Sequence, residues 1–78
     1  MEVPLSEILK LETRLPLHLV EINEGLLGDI EAHGIEEPIL IMLREDNSMV
    51  VWDGLNRLAI AARLNLEKVP VRYSRMGL

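Results

Sequence analysis

The chain has 78 residues, a formal charge of −5 and no cysteine, which argues against two independent cores and excludes both a disulfide framework and thiolate chemistry. Hydrophobic residues make up 49%, but with one Trp, one Tyr and no Phe the core must be aliphatic, and aromatic platforms for single-stranded nucleic acid are scarce. The segment Met1 to Glu37 carries −7 and Pro38 to Leu78 carries +2, so an anion site is expected in the second half, and the acidic balance speaks against non-specific DNA binding.

In chain order, Val3 to Leu9 reads as a short edge strand followed by a turn or a single helical turn, because Pro4 and Ser6 interrupt the apolar positions. Leu11 to Leu19 is expected to be a loop, since Pro16 blocks a helix and restricts Leu15. In "VEINEGLLGDIEAHGIEEPI", Ile22, Leu26 and Ile30 fall four apart, which predicts an amphipathic helix. Its stop signals are His33, a left-handed Gly34 and a returning contact from Ile35.

Ile39 to Leu43 and Met49 to Trp52 are apolar runs of strand length around the turn residues Glu45 to Ser48, which predicts a hairpin covered on both faces. Leu55 to Leu66 is the next helix, with Leu55, Leu58, Ala59, Ala62 and Leu66 on one side and Ile60 and Leu64 elsewhere. So much apolar circumference predicts a packed helix. Val69 to Tyr73 alternates around Pro70 and is expected to be a last strand near an edge, with Ser74 to Leu78 a frayed tail. No stretch reaches the ~20 apolar residues of a membrane span, and the amino terminus lacks a signal-peptide pattern, so a cytoplasmic protein is expected.

The chemistry concentrates in "VVWDGLNRLAIAARLNLEKVPVRY". A strand that ends in Asp53-Gly54 and turns straight into a helix aims the first free N–H groups of that helix beyond the strand, where an anion is attracted. Gly54 permits a sharp turn and a close approach, Arg57 can add a forked guanidinium to a phosphate, and Asp53 could hold magnesium or pair with Arg57. The same residues fit a plain structural role: Asp53 as a cap, Gly54 as a turn residue, Arg57 as a surface side chain. For Trp52 the alternatives are flanking a nucleotide base or burial in the core, of which burial is the more frequent outcome. His18 and His33 lack metal-ligand spacing, and the acids Glu21, Glu24, Asp29 and Glu31 read as a solvated helix face.

The ordered series from Ile30 to Tyr73 resembles the ParB/sulfiredoxin superfamily: a helix ending in His-Gly, a Pro-Ile strand, a turn, a strand ending in Asp-Gly, an Asn-Arg helix start and a closing Val-Pro-Val strand. "VPLSEIL" at Val3 to Leu9 looks like the opening segment of these domains. The resemblance implies a small α/β (α+β) domain over residues 1–78, with a mixed sheet, two main helices and a G-x-x-R helix start that holds nucleotide phosphates. On it, Asp53, Gly54, Asn56 and Arg57 are the cofactor-binding residues, and the cofactor is a nucleoside triphosphate or diphosphate with magnesium at Asp53.

Sulfiredoxins carry their reactive cysteine just after the glycine, where this chain has Leu55, so repair of cysteine sulfinic acid is excluded. Partition proteins follow this domain with a helix-turn-helix and a dimerisation region, which these 78 residues do not contain, so direct DNA binding is not expected. Free serine kinases in the superfamily use a D-G-x-x-R segment with an acid from the early loop, for which Glu12 is the catalytic candidate; a solvated loop carboxylate is the alternative for Glu12. The leading expectation is a nucleotide-binding or phosphate-binding module that regulates contacts with a protein partner. The alternatives are a phosphotransferase and a partition-like or nuclease-like protein associated with DNA.

Overall fold

A computed structural model describes residues 1–75. Its elements are β1 (Glu2–Pro4), α1 (Leu5–Ile8), β2 (Glu12–Thr13), a 3-10 turn (Leu17–Leu19), α2 (Glu24–His33), β3 (Ile39–Leu43), β4 (Met49–Asp53), α3 (Leu55–Leu64) and β5 (Lys68–Arg75). The five strands form one mixed sheet in the order β1-β5-β3-β4-β2. Both β3–β5 and β2–β4 pair in parallel, while β3–β4 and β1–β5 are antiparallel. The chain therefore has an α+β fold.

β3 is the centre of the sheet because its five aliphatic residues find a partner on each side. The hairpin turn forms as its residues dictate: Asn47 adopts a positive φ of 69°, and Asp46 accepts from the backbone N–H and the hydroxyl of Ser48 at 2.9 and 2.6 Å. Coverage of the hairpin differs from expectation. In β3 only Ile39 and Ile41 are buried, with Leu40 and Met42 half-buried between them, which is the alternation of a sheet with helices on one face. An unbroken apolar run alone does not reveal which faces are covered.

One cluster joins Leu5 and Ile8 of α1, Ile39 and Ile41, Val51, Val69 and Val71, and Leu55, Leu58 and Ala61 of α3. Each fully buried aliphatic side chain in it contributes about 1.5–3 kcal/mol. The sheet-facing stripe of α3 thus runs through Ala61, while Ala62, placed on it from the 100° wheel, is exposed. Ile60 is also fully buried but lies outside this cluster, as does Ile30, the one buried residue of α2. Since α2 packs on α3, that helix is covered on two sides, which explains its broad apolar circumference.

α2 begins at Asn23, whose side chain accepts from the Leu26 N–H at 3.0 Å, a cap that the Ile22 periodicity does not show. It ends at Gly34, which has φ 76° and ψ −175°, a glycine-only conformation with an extended ψ in place of the expected left-handed one. β5 lies one strand in from the edge, because β1 adds outside it, and it continues through Ser74 and Arg75. The rest of the expected frayed tail, residues 76–78, lies outside the described residues. Among the described residues no helix is long and apolar enough to cross a membrane.

Candidate functional site

β4 ends at Asp53, and α3 starts two residues later with no side chain capping it. Gly54 makes the turn at φ 87° and ψ 23°. Its position is doubly restrictive, since a Cβ there would stand 3.2 Å from the Ile39 Cα on the central strand. The first backbone bond of the helix runs from the Leu58 N–H to the Gly54 carbonyl at 2.9 Å, which leaves the N–H groups of Leu55, Asn56 and Arg57 without a partner inside the helix. The Asp53 carboxylate does not cap them. It turns back to accept from the Gly54 N–H at 2.9 Å.

Two cavities meet at this turn. One, of about 370 Å³, is lined by Arg14, Leu15, Leu19, Val20, Glu21 and the run from Asp53 to Arg57. The other, of about 430 Å³, is lined by Glu37, Pro38, Leu40, Arg72 and again Asp53, Gly54 and Arg57. The structure therefore brings Asp53, Gly54, Asn56 and Arg57 together around open space. Among the described residues Arg57 is held only by Glu37, at 3.3 Å, and that carboxylate is largely exposed. Such a pair is worth at most about 1 kcal/mol, so the guanidinium is available to a stronger anion.

Asn56 lines the first cavity, but both ends of its amide are already committed to the chain. Its Nδ2 donates to the Glu21 carbonyl at 2.6 Å and its Oδ1 accepts from the Asn23 N–H at 3.1 Å. Asn56 thus pins the segment before α2 to the start of α3 and holds the cavity wall in place.

Two arginines outside the D-G-x-x-R segment join the site. The Arg14 N–H donates to the Val51 carbonyl at 2.9 Å, extending the β2–β4 ladder, and its guanidinium lies 5.5 Å from the centre of the Trp52 ring. Trp52 itself is 39% exposed, contrary to the core burial expected for it, because β4 is irregular opposite Leu40 and Ile41 and its side chain lies outside the core cluster. Arg72 arrives from β5, in register with Leu40. Charge arithmetic by halves points away from Arg14, and only parallel strand pairing delivers it.

Solved structures share this architecture. The crystal structure of sulfiredoxin from Arabidopsis thaliana superposes with a TM-score of 0.66 at 21% identity, covering 97% of this chain and 84% of that one. The C-terminally truncated chromosome-partitioning protein ParB from Caulobacter crescentus, complexed with CTP-γ-S, superposes with a TM-score of 0.68 at 25% identity, over 99% of this chain. The fold is ParB/sulfiredoxin-like. This ParB/sulfiredoxin-like chain spans 44% of the partition-protein chain. No protein-family model matches the sequence, and no curated protein does.

Within this ParB/sulfiredoxin-like fold, Leu55 is 7% exposed and belongs to the core, so the position after the glycine serves packing. Glu12, the candidate acid, lies apart from the turn. It pairs with Val50 across the β2–β4 ladder, three residues before Asp53, and lines neither cavity. Arg44 grips both its carboxylate oxygens at 2.7 and 3.1 Å, and this hydrogen bonding, reinforced by charge, holds the Glu12 carboxyl below its ordinary value. A general base works best with its pKa raised toward the operating pH, the opposite direction to this shift.

A folded-state pKa that is lowered adds stability above the unfolded pKa, and that stability disappears as pH falls through the folded value. Glu12→Gln should therefore melt below the wild type at neutral pH, and the gap should narrow as pH falls below the ordinary glutamate value of about 4.3. Melting both proteins across pH 3 to 7 checks this; a gap that persists unchanged in acid contradicts it.

Proposed function

We propose that the protein is a nucleotide-binding module that seats phosphates at Gly54–Arg57. The observation that carries the reading is the uncapped start of α3 beside Arg57, opening into two cavities. The ParB neighbour, solved with CTP-γ-S, supports a nucleotide as the anion. The first cavity suits the nucleoside, with an apolar wall from Leu15, Leu19, Val20 and Leu55 and the Trp52–Arg14 pair alongside.

Magnesium fits the same arrangement. Among the described residues no group of three His, Asp or Glu side chains gathers to hold a metal, but magnesium is commonly bound by one or two carboxylates together with phosphate oxygens and water. Asp53 lines both cavities and would be that carboxylate, and the ion would neutralise part of the phosphate charge.

Binding is favoured over phosphoryl transfer by the place of Glu12, which is paired with Arg44 and lines neither cavity. The nucleotide then acts on contacts with a protein partner.

Melting the protein with magnesium and CTP, ATP, cytidine or adenosine tests the reading. Nucleotide should raise the melting temperature and nucleoside should not. No rise with any nucleotide would sink it.

A further inference from the structure

We infer that Arg72 recognises the terminal phosphate of the bound nucleotide, so that the site separates triphosphates from monophosphates. The inference rests on phosphate binding at Gly54–Arg57 and concerns the cavity on the far side of that turn. The two cavities share Asp53, Gly54 and Arg57 and nothing else, so a ligand held by those three residues has open space on both sides. Leu15, Leu19, Val20 and Leu55 line the first cavity against Pro38 and Leu40 in the second, and this larger set of apolar side chains favours the nucleoside in the first cavity with the phosphate chain directed toward the second.

In the second cavity the one cation besides Arg57 is Arg72. Its backbone is held on a strand that pairs in parallel with β3 and antiparallel with β1, so the origin of the side chain does not wander. Among the described residues its guanidinium makes no ion pair and no side-chain hydrogen bond, which leaves the whole donor fork for a ligand. Glu37 is the carboxylate that an incoming phosphate must displace. It is held by a single contact at 3.3 Å and is 78% exposed, so it can turn into water and release Arg57. A monophosphate is satisfied at the helix start, and only a longer chain reaches across to Arg72.

Calorimetric titration of the full chain with CTP and with CMP, in magnesium, tests this on the wild type, Arg72→Gln and Lys68→Gln. Lys68 lies on the same strand but lines neither cavity, so its replacement controls for the loss of one positive charge. Arg72→Gln should weaken CTP binding about tenfold and leave CMP binding unchanged, since a hydrogen bond to a charged group at an exposed site is worth roughly that factor. Lys68→Gln should change neither. An Arg72→Gln protein that keeps the wild-type preference for CTP over CMP overturns the inference while phosphate binding at Arg57 stands. A wild type that binds neither nucleotide overturns both. Because Arg72 is exposed, the variant should melt with the wild type in the absence of ligand, which separates lost recognition from lost folding.

Discussion

Arg57→Ala should remove roughly half or more of the nucleotide-induced rise in melting temperature while lowering the melting temperature of the free protein by a few degrees at most. In the free protein the side chain has one weak partner among the described residues, Glu37, and its loss costs at most about 1 kcal/mol. In the complex the same guanidinium is expected to donate to a phosphate, and a hydrogen bond between charged groups is worth about 1.5–3 kcal/mol. Its removal should therefore weaken binding about 10- to 100-fold.

Ligand at a hundred times Kd stabilises the wild type by about 2.7 kcal/mol, which for a domain of this size is a rise of about 10–20 °C. At the same concentration a variant weakened a hundredfold gains about 0.4 kcal/mol, or roughly 2 °C. Arg57→Lys should fall between the two, because an ammonium keeps the charge but not the fork. An alanine variant that retains the full rise would place the phosphates somewhere other than this turn.

The second large effect is on stability. Gly54→Ala should destabilise the free protein by about 2–4 kcal/mol, lowering its melting temperature by roughly 8–30 °C. Part of the cost is the left-handed backbone, unfavourable for any L residue by about 1–2 kcal/mol. The rest is steric: the new Cβ would stand 3.2 Å from the Ile39 Cα, and β3 cannot recede because β4 and β5 hold it on both edges.

Gly28 provides the contrast. It is an exposed helical glycine, and a Cβ added there would meet nothing within 4 Å, so Gly28→Ala should stabilise by about 0.4–1 kcal/mol. Denaturant melts of the two variants should move in opposite directions. A tolerated Gly54→Ala would mean that the turn can relax, and a relaxed turn would no longer hold the N–H groups of α3 in place.

The residues that announce this site are those whose chemistry is local. Asp53, Gly54 and Arg57 lie within five positions of one another, the turn between a strand and a helix is visible from its glycine, and the hairpin bounds follow from two apolar runs. What stays hidden depends on pairing between distant segments. Arg14 and Arg72 reach the turn only because β2 lies along β4 and β5 lies along β3, and no spacing within the chain encodes either meeting. Asn56 has the right address for a ligand contact, but its bonds to Glu21 and Asn23 depend on a segment 35 and 33 residues away that no local spacing shows. The pairing of Glu12 is hidden for the same reason, since its partner Arg44 lies 32 residues away across the sheet. Burial of Trp52 follows from the general habit of tryptophan, but a strand in a sheet with helices on one face has an open side.

The most direct measurement is the backbone amide spectrum of the protein during titration with CTP and magnesium. Phosphates seated at the start of α3 should shift the amide signals of Gly54 to Leu58 most strongly and saturably, with smaller changes at Arg14 and Arg72 and none at Glu12 or in the turn from Glu45 to Ser48. Saturable shifts centred elsewhere, with the amides of Leu55 to Arg57 unmoved, would contradict phosphate binding at this turn.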